Sequence, residues 1–376
     1  MKYIDEVDLR DKKVILRCDF NVPIKDGKIL DNSRVVKSLK TINYLLERNC
    51  SLILMSHMGR VNTQEDKEKN TLRLVAEEIS QLLSKDVKFI DTPVGMEVIN
   101  VCKKLNCGEI ILLENTRYCD CPERLESKNN LELSKYWSTL GDVFVVDAFG
   151  SLHRAHASVA GISKFLPTYF GLLVKEEILG LKPVAEDIKR PFGVFMGGAK
   201  VDDKLKYIKS ILPKCDYLLL GGGIANSFLY ACGYDVGDSL CTNDEITLEE
   251  LRLLVKEYKN KIIMPIDFVQ ENNKILDLGK KSIEKYLKYL KNCKTIFING
   301  TCGVFEEERF SHGTIDLFNG IKNIPSHKIA GGGDTLNAIN HYKLTDSFTF
   351  LSSGGGASLE YVSYGNLEAV EFIENK

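Results

Sequence analysis

Short apolar runs, each too brief to be a helix and flanked by polar or turn residues, alternate along this chain with longer stretches of helical period. In the first half the runs are Val14-Ile15-Leu16, Ser51 to Met55, Val87 to Ile90, Glu109 to Leu113 and Val143 to Val146. Between the first two, Arg34 to Arg48 places Leu39, Ile42, Leu45 and Leu46 on one helical face. Strands that are apolar at nearly every position must be covered on both faces, and intervening helices provide that cover. The expected architecture is α/β, with doubly wound parallel sheets.

The second half repeats this grammar in Phe192 to Met196, Tyr217 to Leu220, Lys261 to Met264, Thr295 to Ile298, Lys328 to Ala330 and Phe348 to Leu351. Its strands run into glycine: Gly197-Gly198, Gly221 to Gly223, Gly300, Gly331 to Gly333 and Gly354 to Gly356. The first half has nothing comparable. A length of 376 residues suits two domains. Leu172 to Leu181 between the halves reads as an uninterrupted connecting helix.

Charge and cysteine usage narrow the function. A formal net charge of -2 gives no electrostatic case for nucleic acid or an anionic membrane. The 11 cysteines are scattered without a C-x-x-C pair, as expected of reduced thiols in a cytoplasmic protein. No apolar stretch has the length of a membrane span, and the opening Met1 to Glu6 lacks the blocks of a signal peptide.

In open α/β sheets, ligands bind beyond the carboxyl ends of the strands. There the first half offers Asp19 and Asn21, then Arg34 opening a helix, His57 and Arg60 after the second strand, Arg117, and Arg154. Isolated arginines are usually solvated surface residues. Four of them with a histidine at equivalent strand ends can instead converge on one small anion, whose oxygens match the guanidinium fork. In the second half, glycine turns entering helices suit polyphosphate, and tight strand-to-helix packing would use the same glycines. Lys200 and Lys204 stand four apart and are expected to share a helical face. Asp334-Thr335 follows Gly331 to Gly333 and places a hard oxygen ligand where magnesium phosphate can sit. Neither a Walker A sequence nor G-x-G-x-x-G occurs. A small-anion half and a polyphosphate half joined by a helix suggest a hinge-bending transferase.

At these residues the chain resembles phosphoglycerate kinase, over essentially its full length. Arg17-Cys18-Asp19-Phe20-Asn21-Val22-Pro23 is similar to that family's R-x-D-F-N-V-P, and Ser56-His57-Met58-Gly59-Arg60 to its S-H-L-G-R. Asp147 to Ser158 resembles D-A-F-G-x-x-H-R-x-H-A-S, Gly197 to Lys204 resembles G-G-A-K-V-x-D-K, and Gly331 to Thr335 reads G-G-G-D-T. The resemblance implies a phosphoglycerate site at Asp19, Asn21, Arg34, His57, Arg60, Arg117 and Arg154. It implies a nucleotide site at Gly198, Lys200, Lys204, Gly222, Asn299, Gly303, Glu306, Gly332, Gly333, Asp334 and Thr335, with Asp334 holding Mg2+. Arg34, Lys200, Gly333 and Gly356 fall in the catalytic set. It also implies a monomer divided as 1–168, a hinge at 169–184, a nucleotide domain at 185–360, and a tail at 361–376 returning to the first domain.

The implied reaction is reversible transfer from 1,3-bisphosphoglycerate to magnesium ADP, giving 3-phosphoglycerate and ATP. In reverse the nucleophile is a carboxylate already ionised at neutral pH, so cations and in-line positioning suffice. Departures cluster in the nucleotide half, where Ile298, Thr301 and Cys302 replace Trp, Pro and Met around Asn299, and Phe350 replaces a histidine. Val146 replaces an asparagine in the first half. The three changes around Asn299 are expected to reshape the base wall. A catalytically weak paralogue with a binding role is the alternative, and a kinase for another acyl phosphate a third reading. No charged phosphate contact is lost, which favours the active kinase.

Overall fold

A computed structural model describes residues Met1–Lys376. The apolar runs form strands that sit in the middle of two parallel sheets. In the strand Lys13–Cys18 every residue after Lys13 is buried, because sheet neighbours lie on both edges and helices cover the faces. Ser51–Met55 and Val143–Asp147 flank it in parallel register, with Ile15 opposite both Ile53 and Phe144. The complete order is Val87–Ile90, Ile110–Leu113, Ser51–Met55, Lys13–Cys18, Val143–Asp147 and Thr168–Phe170. Helix Ser33–Leu46 turns Val35, Ile42 and Leu45 into the core made by Val14, Leu16, Leu52 and Leu54. Each such side chain removed from water contributes about 1.5–3 kcal/mol.

The second sheet runs Ile262–Ile263, Tyr217–Leu220, Phe192–Met196, Thr295–Asn299, His327–Gly331 and Phe350–Ser352, and all its pairings are parallel. Two six-stranded parallel sheets with flanking helices are the architecture expected from the alternating pattern. Because the strands are parallel, all carboxyl ends of a sheet share one edge, which is where the polar and glycine-rich segments emerge.

Met1–Ile178 with Asn366–Lys376 forms one unit, and Leu179–Gly365 the other. Helix Leu172–Ala185 continues past Leu181 with Pro183 inside it, and runs from the first unit into the second. Tyr361 to Gly365, grouped by sequence with the returning tail, stay with the second unit. Helix Gly356–Tyr364 carries the chain through them and ends at Gly365, whose left-handed backbone (φ 76°) closes it. The tail then docks on the first unit through the Ala369 N–H to the Leu152 carbonyl, 3.0 Å, and Lys376 Nζ to the Ser163 carbonyl, 2.6 Å.

Candidate functional site

In the first unit, the loop after Lys13–Cys18 and the start of helix Ser33–Leu46 bring Asp19 and Arg34 together. Arg34 Nη1 lies 3.0 Å from both carboxylate oxygens of Asp19, which holds the long side chain in one orientation. Asn21 Oδ1 accepts the Gly59 N–H at 2.9 Å, and Arg117 Nη1 donates to the Gly59 carbonyl at 2.9 Å. Those two bonds fix the turn that carries His57 and Arg60. Arg60, Arg117 and Arg154 line one cavity of about 440 Å³ with His156 and Arg124. Arg117 Nε is buried there without a protein partner, an unsatisfied donor of the kind an anionic ligand would complete.

Burial pushes the His57 pKa well below its ordinary value, and the Arg17, Arg117, His156 and Arg34 charges add to the effect. His156 is lowered to about 3, first by burial and then by Arg117, Arg17 and Arg154. Both imidazoles are therefore neutral at neutral pH, and the arginines carry the positive charge. All the first-half residues singled out by sequence thus sit at the carboxyl edge of this sheet. Arg17, Glu126 and Ser158 belong to the same cluster and were missed. Arg17 lies inside a strand, where a charged residue gives no sign of facing a site.

The second unit gathers its glycine turns around Asn299, at the end of the strand Thr295–Asn299. Asn299 Oδ1 accepts from Lys204 Nζ at 2.5 Å, and its Nδ2 donates to the Gly331 carbonyl at 2.8 Å. Lys204 Nζ also donates to the Gly197 carbonyl at 2.8 Å. Burial lowers the Lys204 pKa to about 8, against the opposing pull of Asp334 and Asp203. Thr335 Oγ1 accepts the Gly300 N–H at 2.6 Å and donates to the Gly331 carbonyl at 3.0 Å. Gly300 has φ 100°, and a Cβ there would lie 2.2 Å from the Gly197 carbonyl oxygen, so only glycine lets these two turns touch.

A cavity of about 410 Å³ opens beside these turns, reached by Gly198, Gly222, Gly303, Glu306 and Asp334. Leu240, Leu276 and Phe305 form much of its apolar wall. Leu276 comes from a hairpin, Phe268–Glu271 with Lys274–Leu278, that the sequence reading passed over. Its signal was available in Asn272-Asn273, a two-residue turn in which both residues take positive φ. Gly333 and Gly356 are exposed and stand at the first positions of helices Gly333–His341 and Gly356–Tyr364, where backbone N–H groups are free to meet phosphate.

Two expectations are corrected. Lys200 and Lys204 do not share a helical face, because the segment between them is a turn and Lys204 is only the cap of helix Leu205–Ile211. Thr242 and Thr247 hydroxyls donating to Asp202 hold that turn, and Lys200 is left exposed. Ile298 does not form the base wall. It is fully buried in the sheet core with Phe195 and Ile296, while Thr301 and Cys302 do line the cavity.

Asp334 is exposed in the first turn of its helix, and its charge is felt by Lys204. No cluster of three or more His, Cys, Asp or Glu could cage a metal by itself. One carboxylate beside a phosphate-sized glycine cradle suits Mg2+ that arrives largely ligated by phosphate and water. A larger cavity of about 910 Å³ lies at the opposite, amino edge of the first sheet, between helix Met96–Lys104 and the starts of two strands, away from all these residues.

Comparison with known proteins gives a concordant result. The model of the family described as phosphoglycerate kinase matches residues 4–364. A phosphoglycerate kinase of Listeria monocytogenes serotype 4b is 42% identical over 395 residues, spanning 100% of this chain and 99% of its own. One from Mycoplasmoides gallisepticum is 40% identical over 409 residues, again across 100% of this chain and 98% of its own. The solved phosphoglycerate kinase of Coxiella burnetii superposes with a TM-score of 0.85 at 33% identity, over 99% of this chain and 98% of that one.

Proposed function

The chain belongs to the phosphoglycerate kinase family, and we propose that its first unit binds the phosphoglycerate and its second the magnesium nucleotide. It is a phosphotransferase with a carboxyl group as acceptor, moving a phosphoryl group reversibly between 1,3-bisphosphoglycerate and ADP in glycolysis. The observation that supports the substrate assignment is the cavity shared by Arg60, Arg117 and Arg154, with the buried Arg117 Nε lacking a partner. A phosphate monoester placed there meets the Arg60, Arg117 and Arg154 guanidinium groups, with Arg124 on the same cavity. Arg34, oriented by Asp19, is then available to the carboxylate end.

In the second unit, Asp334 would hold the magnesium, which when bound draws charge from the nucleotide phosphates. Lys204 and the N–H groups at Gly333 and Gly356 offer donors to the phosphoryl oxygens, and exposed Lys200 is free to follow the group in transfer. No proton has to be removed from the acceptor carboxylate, so catalysis consists of positioning and charge stabilisation. In-line transfer requires the two ligands to meet, and helix Leu172–Ala185 is the hinge in this reading. We also read the protein as a cytoplasmic monomer; eleven free thiols support the reducing compartment. No helix is long and apolar enough to cross a membrane.

A coupled assay with 3-phosphoglycerate, ATP and magnesium, run beside calorimetric binding of 3-phosphoglycerate to Arg117→Ala and Arg154→Ala, tests the assignment. Turnover should be robust in the parent chain and binding should weaken by about tenfold or more in each variant. Unchanged phosphoglycerate binding in both variants would sink the substrate assignment.

A further inference from the structure

Arg17 is among the largest side chains fully enclosed in the protein, only 1% exposed in the interior of a central strand. A buried guanidinium must place its donors on protein acceptors, and these identify its role. Nε donates to Ser158 Oγ at 3.0 Å, and Nη1 donates to the Cys18 carbonyl. Nη2 lies 3.0 Å from His57 Nδ1. Ser158 relays the connection onward, its hydroxyl donating to Glu126 Oε1 and its N–H to Glu126 Oε2 at 2.9 Å. Glu126 is completely buried. Four residues from separate stretches of chain thus form one line, from an enclosed carboxylate to an imidazole at the site.

Directionality along this line is settled by chemistry. Arginine has donors only and keeps its proton in proteins, so His57 Nδ1 must accept. The ring is then neutral, with its proton on Nε2. We propose that Glu126, Ser158 and Arg17 are positioning residues that hold His57 as this Nε2–H tautomer, so that it recognises phosphoglycerate as an uncharged hydrogen-bond donor. The charged and titratable groups around the ring, Arg17, Arg117, His156 and Arg34, all act in the same direction and disfavour the imidazolium. With four arginines already on the neighbouring cavity, attraction is supplied elsewhere, and a fixed neutral donor contributes orientation that does not vary with pH. The inference rests on the assignment of His57 to the phosphoglycerate site.

Nitrogen-15 NMR of the full chain labelled at its six histidines tests it, with His57 assigned through His57→Gln. In the parent chain, His57 should show a protonated Nε2 and an unprotonated Nδ1, without titrating between about pH 8 and about pH 5. Ser158→Ala breaks the relay, and Glu126→Gln, which preserves volume, serves if the alanine variant does not fold. Either should yield mixed tautomers or a returning titration, with KM for 3-phosphoglycerate raised about threefold to tenfold and KM for ATP unchanged. A parent His57 that titrates near its ordinary pKa overturns the proposal. So do relay variants that lower thermal stability but leave both the tautomer and the phosphoglycerate KM as they were. An unaltered phosphoglycerate KM in His57→Gln, alongside the expected parent tautomer, overturns the recognition by removing its premise, and the NMR result separates that failure from failure of the relay.

Discussion

Lys204 Nζ lies 2.5 Å from Asn299 Oδ1, so the side-chain amide of one glycine-flanked strand end holds the cation of the neighbouring turn. The buried ammonium is depressed to about pH 8, which makes its charge state a variable near physiological conditions. An incoming phosphate replaces lost solvation with a negative partner and raises that pKa again.

Nucleotide binding should therefore take up protons. Below about pH 7, Lys204 is already charged before and after binding, and no uptake is expected. Near pH 8 to 9 the free protein is partly neutral and the complex charged, giving up to about one proton per nucleotide. Calorimetry in buffers of differing ionisation enthalpy measures this directly. Lys204→Met should abolish the uptake, and a buffer-independent enthalpy in the parent at pH 8.5 (roughly the midpoint of that range) would contradict it.

Arg34→Ala should reduce turnover by about a hundredfold or more while leaving the fold intact. Arg34 is only partly buried, and its sole side-chain partner is Asp19. Asp19→Ala should weaken catalysis less, because it frees the arginine without removing its charge. Near-normal kcat for Arg34→Ala, with an unchanged circular dichroism spectrum, would refute its role.

Asp147 gives a stability prediction. Its Oδ1 accepts the N–H groups of Leu173 and Val174 at 2.9 and 3.2 Å, while Oδ2 is buried without a partner. Burial raises its pKa to about 7. Between about pH 4 and pH 7 the folded protein holds a proton that the unfolded chain releases, so this group favours folding more as pH falls through that window. Asp147→Asn keeps the accepting oxygen and removes the titration. It should flatten the pH dependence and gain roughly 1–3 kcal/mol relative to the parent at pH 8 compared with pH 5, measured by urea unfolding. An identical pH profile in both proteins would show that Asp147 is ionised throughout.

The cavity proposed for the nucleotide presents Leu240, Leu276 and Phe305 as an apolar wall. Apolar contact discriminates ligands by only about 1–3 kcal/mol per methylene of fit, and the phosphate contacts do not depend on the base. Activity with GTP should lie within about tenfold of that with ATP in kcat/KM. A preference of several hundredfold, measured with 3-phosphoglycerate saturating, would show that a polar group on this wall reads the base.

The parallel sheets were legible because strands buried on both faces leave long apolar runs, as in Ser51–Met55 and Phe192–Met196, which form strands over the residues read from sequence. The placement of the strand-end polar groups at one edge of the first sheet was legible because parallel strands share a carboxyl edge. What escaped depends on tertiary placement. Lys200 and Lys204 have helical spacing, yet hydroxyl contacts to Asp202 from distant residues impose a turn. Ile298 neighbours Asn299 in sequence, but alternation along a strand sends adjacent side chains to opposite faces. Arg17, Glu126 and Ser158 are spread across the first unit, and only the fold brings them into one line.

The docking of Asn366–Lys376 on the first unit has a consequence for synthesis. Leu179–Gly365 is one continuous segment, whereas the first unit is built from two separated pieces of chain. A ribosome reading from the amino end delivers the whole of Leu179–Gly365 before it releases helix Glu368–Glu374, which belongs to the first unit. Part of the first unit is therefore translated before the second unit and part after it. Ala369, Val370 and Ile373, buried in the folded protein, are the residues the later segment contributes to that unit.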